Sequence, residues 1–302
     1  MMSPAVAIII NGISRKKKKF YKEIYPALAK KFAPEIFETQ RAGHAAELSR
    51  QAAEKHFDFV IAAGGDGTIN HVVNGVLSSH SIPVPVLGLI PLGSGNDFAR
   101  MCGLSSEPES LINLIVVNKP KPLDLGRIDC HNQMGEEIIR YFINACSIGM
   151  GPAVVKKLEK SDRSLGPMLT YWKAIMITFF THRPQEINCK TPAWEWHGKI
   201  RVLAIANGQS FGNSVYIAPD ALPDDGILNT FIAGEVPLLK FLVYQQALKR
   251  KKKIADDLIV YNKTTRAELT APALCEIETE GELAGYLPAR VEIIPSGIQF
   301  LR

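Results

Sequence analysis

Short apolar runs alternate with longer amphipathic stretches over the first third of the chain. The apolar runs predict strands at Ala5–Ile10, Glu35–Thr39, Phe57–Ala63 and Pro85–Ile90. The stretches between them predict helices at Lys17–Phe32, Ala45–Lys55 and Thr68–Leu77. Strands that alternate with helices favour right-handed crossovers and a mostly parallel sheet covered on both faces. We therefore predict an α/β domain over residues 1–125.

From about Lys121 the pattern changes to β-rich runs separated by Gly, Pro, Asn or Asp. These runs are KPLDLGRID, EIIRYFINACSIG, KIRVLAIANG, GILNTFIAG, DLIVYNKTTRAELT and ARVEIIPSGIQFL. Two helical stretches, Pro167–Phe180 and Pro237–Lys251, interrupt them. The pattern predicts a largely antiparallel β domain over residues 126–302, a sandwich or a distorted barrel. It leaves open whether the last strand returns to the first domain.

Length and composition agree with this division. At about 150 residues per domain, 302 residues suggest two domains. A hydrophobic content of 46% and a charged content of 22% are those of a soluble globular protein. No apolar stretch approaches the roughly 18 residues of a membrane span. The first charges follow the first apolar run, the reverse of a secretory signal, so we expect a cytoplasmic protein.

The cysteines do not form a motif. An odd, scattered set of five argues against both a disulfide framework and a zinc site, so we expect reduced thiols.

The net charge of +5 is modest, but two clusters concentrate positive charge locally. They are Arg15–Lys19 and Lys249–Lys253. One interpretation is solvated loop and helix ends. The other is attraction to anionic lipid or polyphosphate, worth about 1 kcal/mol per basic residue near an anionic membrane. We expect no nucleic-acid partner, because no aromatic-rich basic strand accompanies the clusters. Oligomeric state, including a homodimer, stays open.

The sequence GGDGT follows the predicted strand Phe57–Ala63. Gly64, Gly65 and Gly67 leave the backbone bare, and Thr68 opens a helix whose free N–H groups suit an anion. Asp66 between them would repel phosphate unless a divalent cation lies between, and Mg²⁺ prefers a carboxylate with phosphate oxygens. The stretch therefore predicts a site for Mg²⁺ and a nucleotide polyphosphate, with a capped tight turn as the alternative.

A second loop, PLGSGNDFAR, follows the next predicted strand and repeats this pattern, with Asn96 and Asp97 as candidate helix caps. Neither loop is a GxxxxGK[ST] motif or a GxGxxG fingerprint. In parallel sheets ligands bind beyond the carboxyl ends of the strands. NGIS, TQRAGHA, GGDGT and PLGSGND all fall there, which strengthens the prediction of a single site.

GGDGTIN, PLGSGNDFAR, NGQSFGNSVYIAPDALPDDGILN and EGELAG, in this order, resemble the bacterial lipid kinases of the diacylglycerol kinase catalytic-domain family. Sphingosine and ceramide kinases are its eukaryotic relatives, and NAD kinases share the GGDG core. The resemblance covers residues 8–301. It implies an N-terminal α/β nucleotide domain of the NAD kinase/diacylglycerol kinase type, a C-terminal β-sandwich, and an active site to which both domains contribute.

The resemblance also assigns roles to residues. The positions that match ATP-holding ones are Asn11, Thr39, Gly65, Asp66, Gly67, Thr68, Ile69, Asn70, His71 and Ser94. Glu282 matches the general base that takes the proton of the lipid hydroxyl, and we take Asp66 as the second catalytic residue. Leu222 and Ile227, through backbone carbonyls, and Asp225, through its carboxylate, match a structural Mg²⁺ site. Asp97 and Asp124 match, more loosely, carboxylates near the active-site metal.

Three positions depart from the family pattern. Glu280 stands where Asp is usual before Gly-Glu, His71 replaces a common glutamate, and Ser94 with Gly95 replaces Thr-Ala. Without the resemblance, Glu282 would be read as a surface hairpin residue and Pro223–Gly226 as a plain turn.

The helix predicted at Pro167–Phe180 carries Lys173 as its only interior charge. We expect Trp172 and Ile175 to lie in the core, with an apolar membrane-facing helix as the alternative.

We expect an ATP- and Mg²⁺-dependent kinase that phosphorylates a lipid hydroxyl at a membrane surface, with diacylglycerol as the first choice of substrate. Phosphatidylglycerol and sphingoid bases share the primary hydroxyl and stay open. The alternatives are an NAD kinase and a non-catalytic nucleotide or lipid sensor. Peripheral contact with the inner membrane face is part of the expectation.

Overall fold

The computed structural model describes residues 4–161 and 166–302. The chain forms two compact units. The first ends at Leu123 and takes in Ser296–Arg302 as well, and the second is Asp124–Pro295.

A parallel sheet forms the centre of the first unit. Its strands are β1 (Val6–Ile10), β2 (Glu35–Glu38), β3 (Phe59–Gly64) and β4 (Val86–Pro91). They lie in the order β4-β3-β1-β2, and each neighbouring pair is parallel. Every residue of β1 and β3 is buried. Burial on both faces explains why these strands are continuous apolar runs in the sequence.

The helices of the first unit are α1 (Lys17–Lys19), α2 (Tyr25–Phe32), α3 (His44–Glu54), α4 (Asp66–Ser78), α5 (Asp97–Met101) and α6 (Pro108–Val117). A π-helical turn, Phe20–Ile24, joins α1 to α2. An α-helical turn here would direct the carbonyl of Lys22 at Pro26, which has no N–H to donate, so the wider turn avoids that conflict. The parallel sheet with its helices confirms the predicted α/β class.

The second unit is built on antiparallel strands. They are β5 (Lys121–His131, entering from the first unit), β6 (Glu137–Phe142), β7 (Ala145–Gly149), β8 (Gln185–Lys190), β9 (Glu195–Ile200), β10 (Val202–Ala206), β11 (Leu228–Ala233), β12 (Ile259–Thr264), β13 (Arg266–Thr270), β14 (Glu276–Thr279) and β15 (Glu282–Phe300). Its helices are α7 (Met150–Glu159), α8 (Pro167–Thr181) and α9 (Leu238–Lys249). The strand order β12-β11-β10-β7-β14-β15 is extended by β13, β8 and β9, and β5 pairs with β6 and β15.

Each face of the second unit's sheet covers a separate core. On β10, Leu203 and Ile205 belong to one hydrophobic cluster, and Ala204 and Ala206 to the other. The second cluster includes Ile175 of α8, whose core position is confirmed, together with Phe241 of α9. The alternation follows from the two-residue period of a strand. No helix in the part of the chain that the structure describes is long and apolar enough to cross a membrane.

Strand β15 continues from the second unit into the first. Its early residues pair antiparallel with β14 and β13, as Ala267 opposite Val291 illustrates. Near its end, Phe300 pairs in parallel with Leu87 of β4 and packs edge-on against Phe98 of α5. The last residues of β15 therefore extend the parallel sheet of the first unit.

The run EIIRYFINACSIG, predicted as one strand, is two strands instead. β6 ends at Phe142 and β7 begins at Ala145. The backbone N–H groups of Ile143 and Asn144 donate to the side-chain oxygen of Glu280 rather than to a neighbouring strand. The side chain of Glu280 thus replaces the hydrogen bonds that a neighbouring strand would make to these two residues. A hydrophobic pattern in the sequence does not reveal this replacement.

Candidate functional site

The carboxyl ends of β1 and β2 are tied together in the first unit. The N–H of Thr39 donates to the carbonyl of Ile10 at 2.9 Å, and its Oγ1 accepts the N–H of Gly12 at 3.0 Å. The N–H of Asn11 donates to the carbonyl of Ala63 at the end of β3, at 3.1 Å. Asn11 and Thr39, both predicted to hold a nucleotide, therefore lie at the edge of the sheet where ligands bind.

The glycine loops after β3 and β4 are in direct contact. The carbonyl of Gly64 accepts the N–H groups of Leu92 and Gly93 at 2.8 and 3.1 Å. A Cβ on Gly93 would lie 2.5 Å from the Cα of Gly65, and a Cβ on Gly64 would lie 2.3 Å from Oγ1 of Thr68. Glycine at these positions lets the two loops touch, and this contact is a sufficient physical reason for the bare backbone.

Asp66 connects the two loops. Its Oδ1 accepts the N–H of Phe98 at 2.9 Å, and its Oδ2 accepts the N–H of Asp97 at 3.1 Å, so Asp66 caps α5. Burial raises the pKa of Asp66 above its ordinary value; the N–H of Phe98 opposes this, and the neighbouring Asp97 carboxylate adds to it. A carboxylate has about four lone-pair sites. The N–H groups of Phe98, Asp97 and Asp66 itself take three of them and one remains for a ligand, so the cap and a metal-facing role are compatible.

Helix α4 begins directly at the first glycine loop. Gly65 is its N-cap in an extended conformation, and the first-turn N–H groups of the 13-residue helix point back towards the loop. The side chains of Thr68 and Ile69 are buried, so a nucleotide would meet these residues through their backbone. Asn70 accepts the side-chain amide of Asn74 at its carbonyl, at 2.9 Å. His71 is half-buried on the same helix.

The second glycine loop carries cations that the sequence reading missed. Ser94 is exposed there, as a ligand contact requires. Nζ of Lys16 donates to the carbonyl of Gly93 at 3.2 Å, and Arg100 donates to the carbonyl of Gly95 and to Asp97, both at 2.6 Å. Lys16 belongs to the first basic cluster, which was recognised, but its contact with a loop 77 residues away was not predictable from spacing.

Glu282 lies in the second unit, just after a tight hairpin turn. Thr279 pairs with Glu282, and Glu280 and Gly281 form the two-residue connection with φ of 51° and 82°. Two positive φ values define the turn that matches the twist of a hairpin, where Asn-Gly or Asp-Gly is usual. Glu280 occupies this strained position, and Glu282 is exposed as the first residue of β15.

The hairpin contains a buried carboxyl group that sequence reading missed. Oε2 of Glu278 accepts the N–H of Gly281 at 3.0 Å, and Oε1 accepts the hydroxyl of Ser147 at 2.5 Å. Burial raises the pKa of Glu278 to about 7, against the smaller opposing effects of Ser147 and Gly281. In the sequence Glu278 is one of four alternating glutamates, and nothing there distinguishes it from the other three, which are less buried.

The loop of residues 222–227 forms a compact turn in the second unit. Asp225 accepts the N–H of Ile227 at 3.1 Å, and the side chain of Leu222 is exposed. Buried Asp124 accepts the N–H of Gly226 at 2.7 Å and donates its own N–H to the carbonyl of Pro223 at 2.8 Å. Asp124 therefore holds this loop through direct hydrogen bonds. The family resemblance had placed Asp124 only near the active-site metal and had not indicated this contact.

The oxygen atoms of this loop are chemically suited to Mg²⁺, which takes carboxylate and carbonyl oxygens. Across residues 4–161 and 166–302, no group of three or more His, Cys, Asp or Glu side chains could hold a metal. A Mg²⁺ site here would therefore rely on the single carboxylate of Asp225 and the carbonyls of Leu222 and Ile227.

Comparison with known families accounts for both units. The diacylglycerol kinase catalytic domain matches residues 5–128, and the YegS C-terminal NAD kinase beta sandwich-like domain matches residues 144–302. The chain belongs to the lipid kinase family that carries these two domains. The β-sandwich predicted for the second domain is thereby confirmed.

Individual relatives agree with this membership. "Diacylglycerol kinase" of Bacillus subtilis (strain 168) is 28% identical over 277 residues, which cover 90% of this chain and 88% of the relative. "Probable lipid kinase YegS-like" of Serratia proteamaculans (strain 568) is 29% identical, covering 86% of this chain and 82% of the relative.

Solved structures show the same fold. A diacylglycerol kinase from Bacillus anthracis str. Sterne superposes with a TM-score of 0.73 at 19% identity, covering 100% of this chain and 97% of that one. Yeast NADH kinase complexed with NADH gives a TM-score of 0.50 at 10% identity, covering 99% and 83% of the two chains. The fold of this chain is thus shared with structures described as a diacylglycerol kinase and an NADH kinase.

Proposed function

We propose that the protein transfers the γ-phosphoryl group of ATP to the hydroxyl of a lipid, with diacylglycerol as the substrate and phosphatidic acid as the product. The observation that carries the proposal is the meeting of four loops at one edge of the parallel sheet, with Asn11, Thr39, Asp66 and Ser94 among them. Membership in the lipid kinase family and the diacylglycerol kinase among its relatives support the choice of acceptor.

The first unit would hold the nucleotide. Phosphoryl transfer depends mainly on positioning and on neutralising charge. The bare backbone around Gly65, the start of α4 and the exposed hydroxyl of Ser94 offer donors to a triphosphate. Lys16 and Arg100 add positive charge beside the second loop. Residues 64–71 with Asn11, Thr39 and Ser94 form the proposed ATP site.

Two places would take Mg²⁺. Asp66 keeps one lone-pair site for an ion beside the glycine loops, and Asp225 with the carbonyls of Leu222 and Ile227 provides a second set of oxygens. Bound at Asp66, the ion would supply charge neutralisation for the phosphate oxygens.

Glu282 of the second unit is the proposed general base. Its exposure at the start of β15 leaves the side chain accessible to a substrate hydroxyl. The turn before it is fixed by Glu278 and by Glu280, whose carboxylate accepts the N–H of Asn144 at 2.6 Å. A base held by a rigid turn can take the hydroxyl proton in a defined direction.

The lipid would be reached at a membrane surface through helices α8 and α9. These helices are in contact, since the rings of Phe179 and Phe241 are 4.8 Å apart and Nζ of Lys249 lies 4.9 Å from the ring of Trp172. Their exposed large apolar side chains are Leu169, Ile177, Phe180, Leu239 and Val243. The basic cluster Lys249–Lys253 follows α9. Apolar side chains beside a basic run favour an anionic bilayer as the partner.

The proposal is tested by the transfer of labelled phosphate from ATP to diacylglycerol in mixed micelles. We expect Glu282→Gln to lower kcat by about 10²–10⁴-fold, the range of general base contributions, with ATP affinity unchanged. Asp66→Ala should lower both ATP affinity and kcat. Glu137→Gln, an exposed glutamate at the start of β6, is the matched control. Activity that survives intact in both Asp66→Ala and Glu282→Gln contradicts the site.

A screen of lipid classes with mass detection of the product distinguishes the remaining acceptors. Phosphorylation of phosphatidylglycerol or a sphingoid base instead of diacylglycerol would correct the substrate and keep the class. Phosphorylated NAD would identify an NAD kinase. ATP binding without transfer to any acceptor would identify a sensor.

A further inference from the structure

Glu280 is held by one segment of the second unit. Its Oε1 accepts the backbone N–H groups of Ile143, Asn144 and Ala145 at 3.2, 2.6 and 3.3 Å. Its Oε2 accepts the side-chain Nδ2 of Asn144 at 3.0 Å. Four donors on one carboxylate offset the strained backbone of Glu280 and fix the turn that precedes Glu282.

Asn144 continues this network to a second buried asparagine. Its carbonyl accepts the N–H groups of Asn207 and Gly208 at 2.7 and 2.8 Å. Nδ2 of Asn207 donates to the carbonyls of Asp124 and Ile143 at 2.9 and 3.2 Å. Asp124 in turn accepts the N–H of Gly226. An unbroken series of hydrogen bonds therefore joins the turn before Glu282 to the loop that contains Asp225.

Both asparagines are almost fully buried, at 1% and 0% exposure. Their orientation is determined, because each Nδ2 faces oxygen acceptors. Each Oδ1 is buried and meets no donor among the described residues. An unsatisfied buried polar atom destabilises the folded state. Apolar residues of similar size would avoid this cost, so stability alone does not account for two such amides side by side.

We propose that Asn144 and Asn207 are positioning residues for the phosphoryl transfer: together they fix the turn that carries Glu282 relative to the loop of Asp225. The inference rests on the proposed function. Neither asparagine touches a reacting atom; Asn144 acts through the turn that precedes the proposed base, and Asn207 acts through the loop of the proposed Mg²⁺ ligand Asp225. A displacement of about 1 Å in a catalytic group can cost 10²-fold in rate.

The decisive experiment exchanges donor and acceptor. Asn144→Asp places an oxygen where Nδ2 faces Glu280, so two acceptors meet, and we expect kcat to fall roughly 10–100-fold with KM for ATP unchanged. In Asn144→Asp with Glu280→Gln, the new glutamine amide can donate to the new aspartate while its oxygen still accepts the backbone N–H groups. The double variant keeps the net charge, and we expect it to recover kcat at least about tenfold over Asn144→Asp.

Two further variants control the exchange. Asn207→Asp should also lower kcat, because its carboxylate would face the carbonyls of Asp124 and Ile143. Asn229→Asp makes the same chemical change at a buried asparagine of β11 whose Nδ2 has no hydrogen-bond partner among the described residues, so it should leave kcat within about threefold. A double variant no more active than Asn144→Asp, or an Asn229→Asp loss as large as that of Asn144→Asp, overturns the inference.

Amide hydrogen exchange gives a readout that does not depend on activity. In Asn207→Asp we expect faster exchange both at residues 143–145 and at Gly226, with the remaining strands unchanged. Unchanged exchange in both segments overturns the positioning role even if activity falls. If the wild-type protein phosphorylates no lipid, the proposed function fails, and the exchange measurement still decides whether the asparagines fix the two loops.

Discussion

Asp66 caps helix α5 by accepting the N–H of Phe98 at 2.9 Å, across 32 positions of sequence. The residue that the sequence proposes for metal and phosphate thus also joins the two glycine loops. A loss of activity on substitution of Asp66 would therefore combine a lost ligand with a displaced second loop, and the two effects can be separated.

We expect Asp66→Ala to lower the free energy of unfolding by about 1–3 kcal/mol, because two N–H groups lose a charged acceptor. Asp66→Asn keeps Oδ1 as an acceptor for Phe98 and should lower it by less, while activity falls in both variants. Chemical denaturation measures the difference. Equal stability of Asp66→Ala and wild type would show that the cap contributes nothing.

The contact of Gly65 with Gly93 predicts that the loops do not tolerate a side chain. The Cβ of Gly93→Ala would lie 2.5 Å from a backbone atom, so the loops must separate, at a cost of about 1–3 kcal/mol. We expect lower stability and weaker ATP binding, measured by thermal unfolding and calorimetry. Gly234→Ala, whose Cβ would have its nearest neighbour at 3.5 Å, is the control and should unfold like wild type.

Glu278 predicts a specific dependence of stability on pH. Burial raises its pKa in the folded state from 4.5 to about 7, so the folded protein keeps this proton over a range in which the unfolded chain releases it. The stabilisation is complete below pH 4.5 and is lost as pH rises through 7. Relative to wild type, Glu278→Gln should therefore gain up to about 3 kcal/mol of unfolding free energy between pH 4.5 and 8.

Urea unfolding of both proteins at several pH values measures this difference in unfolding free energy. The contributions of the other carboxyl groups cancel, because both proteins share them. A constant difference between Glu278→Gln and wild type across this range would show that Glu278 is ionised throughout.

The surface of α8 and α9 predicts binding to anionic vesicles. Phe180→Ser with Leu239→Ser removes two side chains that are 69% and 78% exposed, so we expect several-fold weaker sedimentation with vesicles that contain phosphatidylglycerol. Activity on short-chain, soluble diacylglycerol should be unchanged. Leu274→Ser, at an equally exposed leucine outside these helices, is the control. Vesicle binding unaffected by the double substitution would contradict this surface.

The sequence was sufficient for features set by short-range patterns. Buried strands such as Val6–Ile10 and Phe59–Gly64 are continuous apolar runs, so their parallel pairing and the position of the loops that follow them could be predicted. The helix that follows the first glycine loop was predicted to begin near Thr68. It is α4, which begins at Asp66, and the difference is within the usual error of helix ends.

Features set by long-range contacts could not be predicted in this way. Asn144 appears as an ordinary polar residue within a strand pattern, and its role depends on Glu280, 136 positions later. Glu278 and Glu280 belong to one run of alternating glutamates, as in any half-exposed strand, yet one is buried and the other holds a loop. No local property of the chain distinguishes them, because burial and partner choice are decided by the fold.

Residues 296–302 belong to the first unit although the whole second unit precedes them in the chain. During translation, β4 at the edge of the first sheet therefore waits for its partner until about 210 later residues have left the ribosome, by which time the second unit can already have folded. An unpaired edge strand is prone to pair with other chains. The nascent first unit should therefore depend on chaperones more than its compact final form suggests.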